Sequence, residues 1–161
     1  IIKKFNLFFR ITKKQTLMNI EELINACEIF KKNKTGALFV IERSNSLDFV
    51  RNTGDQLNLE ISTPIIESIF FKNSPLHDGA VIIEGNFITG ARVILPMSEK
   101  ENIDSRLGLR HRAAFGITEK TDAIAIVVSE EKGKITFIKN GEIHPYQDIE
   151  NLKTMIEVEM T

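Results

Sequence analysis

Three short stretches carry residue types suited to chemistry. The first is Pro75-Leu76-His77-Asp78-Gly79-Ala80-Val81-Ile82-Ile83, which sets an imidazole, a carboxylate and a glycine directly before an apolar run that reads as a strand. Asp78 can bind a metal ion or accept a proton, and His77 can ligate or donate. Gly79 has no Cβ, so a ligand or another backbone can approach closely there. A strand after it would hold the group still. The same residues also make a good turn, which is the plainer reading of the stretch by itself.

The second stretch, Arg110-His111-Arg112, concentrates donors in consecutive residues. Arginine forks match phosphate oxygens in a bidentate way, and histidine adds a donor or a proton. A helix beginning there would add its free N–H groups, with Gly108 giving the backbone freedom to present them. An isolated Arg-X-Arg is more often a solvated basic face. The third stretch, Ser129-Glu130-Glu131, follows an apolar run. Carboxylates at a strand end suit a hard cation such as Mg²⁺ or Mn²⁺, and they suit a hairpin turn equally well. His144 precedes Pro145 without a companion and reads as a surface histidine. Walker-type and Gly-x-Gly-x-x-Gly loops are absent from the sequence, which argues against a P-loop or Rossmann site.

The elements that must position these groups follow from pattern. Asn19-Ile20-Glu21-Glu22 has the form of a capping box, and Ile20, Leu23, Ile24, Cys27 and Phe30 recur at helical spacing to about Lys32. Ala37-Leu38-Phe39-Val40-Ile41 is short and uniformly apolar, as in a buried strand. Residues 42–59 read as a polar excursion turning at Gly54-Asp55. Thr63 as cap and Pro64 at the first position open a second helix carrying Ile65, Ile66, Ile69 and Phe70 inward, ending near Asn73-Ser74-Pro75. Strands at 80–83 and 87–95 join through Glu84-Gly85-Asn86, a hairpin signal. The polar residues 98–105 lead to a loop and short helix over 107–115. Strands at 123–128 and 135–138 flank Lys132-Gly133-Lys134, and Asp148 caps a last helix with Ile149, Leu152, Met155 and Ile156. Alternating helices and strands with hairpins predict an α/β chain of α+β character: a mixed central sheet covered by helices.

Composition bounds what such a chain can do. At 161 residues it has the length of one domain, and 42% hydrophobic with 27% charged residues suits a globular protein. A net charge of −1 argues against a broad nucleic-acid surface, so any anion site is local. The single cysteine, Cys27, excludes an internal disulfide and falls on an apolar helix face, where it reads as packing. No apolar run is long enough to span a bilayer. Residues 1–18 mix Lys3, Lys4, Arg10, Lys13 and Lys14 with Phe5, Phe8, Phe9 and Ile11. Such a lead-in suits a membrane surface or the end of a missing spanning segment as well as a packed amphipathic helix.

Taken in order, the stretches resemble one known family. Leu76-His77-Asp78-Gly79-Ala80, Leu95-Pro96-Met97-Ser98, Leu107-Gly108-Leu109-Arg110-His111-Arg112-Ala113-Ala114 and Val127-Val128-Ser129-Glu130-Glu131 look like the diadenylate cyclase domain, whose signature is the Asp-Gly-Ala and Arg-His-Arg pair. Thr35-Gly36-Ala37-Leu38-Phe39-Val40-Ile41-Glu42 and Thr121-Asp122-Ala123 fit as well. The resemblance covers residues 19–161 as one catalytic domain. It is nearest the membrane-anchored CdaA type, in which transmembrane helices precede the cyclase domain.

The resemblance implies a bacterial enzyme that condenses two ATP into cyclic di-AMP and two pyrophosphates, each ribose 3′-hydroxyl attacking the α-phosphorus of the other nucleotide. Asp78 would activate the hydroxyl, through a metal ion or as direct base. Arg110, His111 and Arg112 would neutralise the triphosphate. Substrate contacts would come from Gly79, Ala80, Leu95, Gly108, Leu109, Arg110, His111, Arg112 and Ser129, with Gly79 and Ala80 against the ribose. Ligands to Mg²⁺ or Mn²⁺ would come from His77, Asp78, Glu130 and Glu131. One subunit would hold one ATP, so catalysis would need at least a transient face-to-face homodimer at the cytoplasmic face of the membrane, open to regulatory protein partners. Leu109 stands where the family usually has Thr, and Ile94 where the CdaA type often has an aromatic residue. Two rivals remain: a catalytically silent module sensing ATP or cyclic di-AMP, and a metal-dependent phosphodiesterase. The second usually needs several His and Asp ligands, and the chain has three widely spaced histidines.

Overall fold

The computed structural model of the protein describes residues 18–161, so the basic lead-in lies, Met18 apart, outside the described residues. Helix α1 (Ile20–Asn33) is capped by Asn19, whose side chain accepts from the Glu22 N–H. The reciprocal half of the expected capping box is absent. The Asn19 N–H donates instead to Asn86 Oδ1 at 2.7 Å. The Glu22 carboxylate accepts from the N–H and hydroxyl of Thr63, at 2.6 and 2.8 Å. These bonds, the backbone one foremost, hold the Glu22 carboxyl below its ordinary pKa. With Thr63 so engaged, the cap of α3 (Thr63–Phe70) is Ser62, one residue earlier than its sequence suggested.

The remaining elements are β1 (Ala37–Ile41), α2 (Asp48–Arg51), β2 (Asp55–Glu60), β3 (Ala80–Glu84), β4 (Phe87–Val93), α4 (Leu109–Lys120), β5 (Ile124–Val128), β6 (Ile135–Lys139), β7 (Glu142–Ile143) and α5 (Ile149–Met160). The strands form one mixed sheet in the order β2-β4-β3-β1-β5-β6-β7. Only β1 and β3 pair in parallel, and the other neighbours are antiparallel. The expected mixed sheet covered by helices is therefore the observed fold.

Four elements depart from the sequence pattern. The polar excursion at 42–59 contains α2 and the edge strand β2, whose largely exposed Asp-Gln-Leu-Asn-Leu-Glu run carries little hydrophobic signal. The two-residue β7 was not foreseen at all. Helix α4 continues beyond Phe115 to Lys120, through Gly116. A Cβ there would collide with the Pro96 carbonyl, so Gly116 permits close packing and does not stop the helix.

Strand alternation divides the core between the two faces of the sheet. Phe39 and Ile41 pack with the apolar sides of α1, α3 and α5, while Leu38 and Val40 pack with α2 and α4. In the first layer the Phe70 ring meets Phe30 and Phe39 edge-on, with centroids 5.7 and 5.2 Å apart. Cys27 is buried in that layer, and burial pushes its thiol up to about 12, in keeping with a packing role. His144, expected at the surface, is half-buried: its ring stands 5.9 Å from that of Phe137 and its Nε2 is enclosed.

Register decides what the fold can do. Ala37 lies opposite Val128, Val128 opposite Ile135, and Ala80 opposite Val93. The first residues of β1, β3 and β6 thus share one edge of the sheet with the last residues of β4 and β5.

Candidate functional site

That edge opens into a cleft of about 1120 Å³, just above the range for small-molecule sites (roughly 300–1,000 Å³). Every site residue nominated from the sequence lines it except His77 and Arg112. Both exceptions have local causes. Residues two apart on an α-helix point about 200° away from each other, so Arg110 and Arg112 cannot face one ligand from a regular turn. Arg112 instead offers its carbonyl to the Ser98 N–H at 3.1 Å. His77 stands behind Asp78.

The floor is apolar and tightly fitted. Ala80 is fully buried and Leu95 is nearly so. Gly79 has φ +101°, and a Cβ on it would stand 2.8 Å from both the Arg92 carbonyl carbon and the Val93 oxygen. The glycine is therefore required by the backbone of β4, whatever else lies against it. Ile94 and Leu109 are 70% and 74% exposed and form apolar lips. Both are free to lie against a flat ring.

One wall is the start of α4. Gly108 caps it without a side-chain bond, and nothing lies within 4 Å of where its Cβ would be. Residues 108–111 line the cleft, and the free N–H groups of a helix start suit an anion. Arg110 follows, its Nη1 3.0 Å from Glu130 Oε2 on the opposite wall. His111 is only 7% exposed. Burial, then the cations of Lys134 and Arg110, push its pKa below the ordinary value, so it is neutral at pH 7.

The opposite wall is the turn between β5 and β6. Ser129 takes its turn role as well as its place in the cleft, its hydroxyl accepting from the Lys132 N–H at 3.2 Å. Lys132, Lys134 and Thr136 also line this wall. The sequence showed Lys132-Gly133-Lys134 only as a turn, and which way those side chains face depends on β6 register.

The His77 ring shows which residues suit a metal ion. Its Nδ1 lies 2.7 Å from the Ser74 carbonyl, which can only accept, so that nitrogen carries the proton. Nε2 is left facing Asp78 Oδ1 at 3.3 Å. An imidazole whose N–H is held from behind by a carbonyl keeps its other nitrogen turned outward for a metal ion, here beside a carboxylate. Among the described residues no three His, Cys, Asp or Glu side chains gather closely enough to hold a cation. His77 and Asp78 do not form one cluster with Glu130 and Glu131. A two-donor site fits Mg²⁺, which is commonly held by one or two carboxylates plus substrate phosphates.

Comparison with known proteins places the chain in a family. Residues 24–143 match the family described as DAC, DisA bacterial checkpoint controller nucleotide-binding. The chain is 44% identical over 140 residues to the cyclic di-AMP synthase CdaA of Bacillus subtilis, covering 87% of this chain and 51% of that protein. It is 46% identical over 124 residues to a diadenylate cyclase of Listeria monocytogenes, covering 77% and 45%. A crystal structure of a DacA double mutant from Staphylococcus aureus superposes with TM-score 0.84 at 35% identity, covering 88% of this chain and 94% of the other. The chain thus spans about half the length of the curated relatives it matches. Among the described residues no helix is long and apolar enough to cross a membrane.

Proposed function

The chain belongs to the DAC nucleotide-binding family, and from that premise we propose that it condenses two ATP into cyclic di-AMP and two pyrophosphates. One observation carries the proposal: Asp78, the Arg110–His111 start of α4 and Ser129–Glu131 are far apart in sequence yet line one cleft. That combination supplies a proton acceptor, phosphate donors and further carboxylates to one bound nucleotide.

In each half-reaction a 3′-oxygen bonds to the α-phosphorus of the other nucleotide and the bond from that phosphorus to the pyrophosphate oxygen breaks. Two such steps close the ring and release two pyrophosphates. Asp78 is exposed at the rim, where it can receive the hydroxyl proton. The α4 N–H groups, Arg110 and neutral His111 donate to phosphate oxygens as charge moves onto the leaving group. Lys132 and Lys134 add positive charge on the far wall. Ile94 and Leu109 pack on the base, with Ala80 and Leu95 beneath. His77 and Asp78 would hold Mg²⁺ or Mn²⁺ together with the substrate phosphates, and Glu130 or Glu131, which do not cluster with them in the free protein, would join only through the bound nucleotide. Such an ion lowers the cost of ionising a hydroxyl and neutralises phosphate charge. The proposal includes a homodimer, since one cleft holds one ATP and the second must arrive from a facing copy. It also includes membrane attachment through a segment beyond this chain, placing the domain on the cytoplasmic face.

The test is to incubate the protein with ATP and Mg²⁺ or Mn²⁺ and detect cyclic di-AMP by mass, with Asp78→Asn alongside. Loss of a general base is expected to lower the rate by roughly 10²–10⁴-fold. Asp78 is 83% exposed on its side chain, so the melting temperature should not move. Product from the variant at the wild-type rate would overturn the role of Asp78. ATP binding without product from either protein would overturn the cyclase reading in favour of a sensor.

A further inference from the structure

We propose that Gly36, which precedes β1, is a positioning residue for Arg110: the space its missing side chain leaves is the seat of the guanidinium. The inference rests on the nucleotide reading above. A Cβ placed on Gly36 would stand 2.5 Å from Arg110 Cζ and 2.9 Å from Nη2, with Nη1 nearer still. Non-bonded heavy atoms of this kind need about 3.5–4.0 Å, so any side chain at position 36 excludes Arg110 from its present place.

The backbone gives no competing reason for glycine. Gly79, Gly85, Gly133 and Gly141 have positive φ, and Gly36 does not. The three atoms nearest to such a Cβ all belong to one guanidinium. Arg110 is thus seated against the Gly36 backbone, and Glu130 Oε2, 3.0 Å from Nη1, is the contact that an arriving phosphate would replace. A planar fork so held meets a phosphate in a fixed orientation, with less freedom to lose on binding. The position also couples two segments far apart in sequence, the entry to β1 and the first turn of α4.

The clash is with the far end of a flexible side chain, so the fold can accept a methyl group at position 36 by moving the guanidinium alone. Gly36→Ala should therefore separate stability from binding. Its melting temperature should stay level or rise by roughly 1–4 °C, because alanine restricts the unfolded chain. Its affinity for ATP, measured by calorimetry, should fall roughly tenfold to 150-fold, the range expected when a charge-assisted hydrogen bond is lost. In an Arg110→Ala background the same change should have no further effect on affinity, because its target is gone.

Wild-type affinity in Gly36→Ala, or an equal loss with and without Arg110, would overturn the proposal. A third readout needs no nucleotide: the Arg110 Nε–H resonance of the free protein, followed by NMR, should shift in Gly36→Ala. If the wild-type chain binds no ATP, the nucleotide reading fails and this resonance decides the matter. A shifted signal upholds the seat, and an unmoved one refutes it.

Discussion

Glu130 faces two demands, and Glu130→Gln separates them. Without a divalent ion its carboxylate neutralises Arg110 across the cleft, Nη1 to Oε2 at 3.0 Å. An arriving phosphate must displace it. The pair is part-exposed, at 30% for the arginine side chain and 68% for the glutamate. Exposed ion pairs of this kind contribute about 0.2–1 kcal/mol. Replacing the carboxylate by an isosteric amide removes that competitor and one negative charge near the triphosphate. ATP binding in EDTA should therefore tighten by about 1.4- to fivefold. The gain should shrink as salt rises and the screening length falls. With Mg²⁺ or Mn²⁺ present the sign reverses if Glu130 takes the cation once phosphate has displaced it from Arg110, and turnover should then drop. Calorimetry with and without EDTA, beside Glu131→Gln, reads both effects and shows which carboxylate the metal uses. Weaker ATP binding by Glu130→Gln in EDTA would refute the competition outright.

Three further outcomes follow from named contacts. Gly79→Ala forces a side chain onto φ +101° and against the Arg92–Val93 backbone. It should cost about 2–4 kcal/mol, a drop of roughly 5–15 °C in thermal melting, and an unchanged melting temperature would refute the close approach of β3 and β4. His111 has a folded pKa below its unfolded one, so its contribution to stability is complete above the unfolded value of about 6.5 and is lost as pH falls through the folded one. Melting curves should fall more steeply from about pH 7 to pH 5 for wild type than for His111→Gln; parallel curves would remove His111 as the cause. Specific activity should fall on dilution as a facing dimer dissociates. Activity strictly proportional to enzyme at very high dilution, with no dimer detectable, would sink the two-subunit mechanism.

What the sequence could show was set by how each element is buried. Ala37–Ile41 and Ile124–Val128 are covered on both faces of the sheet, and such strands appear as unbroken apolar runs. Edge strand β2 has one paired side and mostly exposed residues, so its composition resembles a loop. Helix α4 buries Ala114 through Thr118 in succession, because it is enclosed there and not laid on the surface. No helical period survives such enclosure, and its length was underestimated. In the site, Asp78, Arg110 and Glu130 were visible because each sits in a compact run of polar types. Lys134, Thr136 and Gly36 were not. Their roles exist only in the register of β6 against β5 and in the distance from the start of β1 to α4, which no local pattern encodes.

The distribution of water around the site bears on the reaction itself. His111, at the back of the cleft, is 7% exposed, while the Asp78 side chain at its rim is 83% exposed. The His111 donor is thus enclosed, Arg110 is part-exposed, and the proposed proton acceptor stands in solvent. Electrostatic stabilisation of an in-line displacement is strongest where water is excluded. A carboxylate so open to water gains that setting only when something covers the rim. Among the described residues, Ile94 and Leu109 at the rim are themselves exposed, and the Asp78 side chain stands uncovered. A second copy facing the first would supply the cover, and its nucleotide would bring the hydroxyl to Asp78 from the open side. On the proposed reading, the same exposure that makes a single subunit a poor catalyst is what lets two subunits share a reaction.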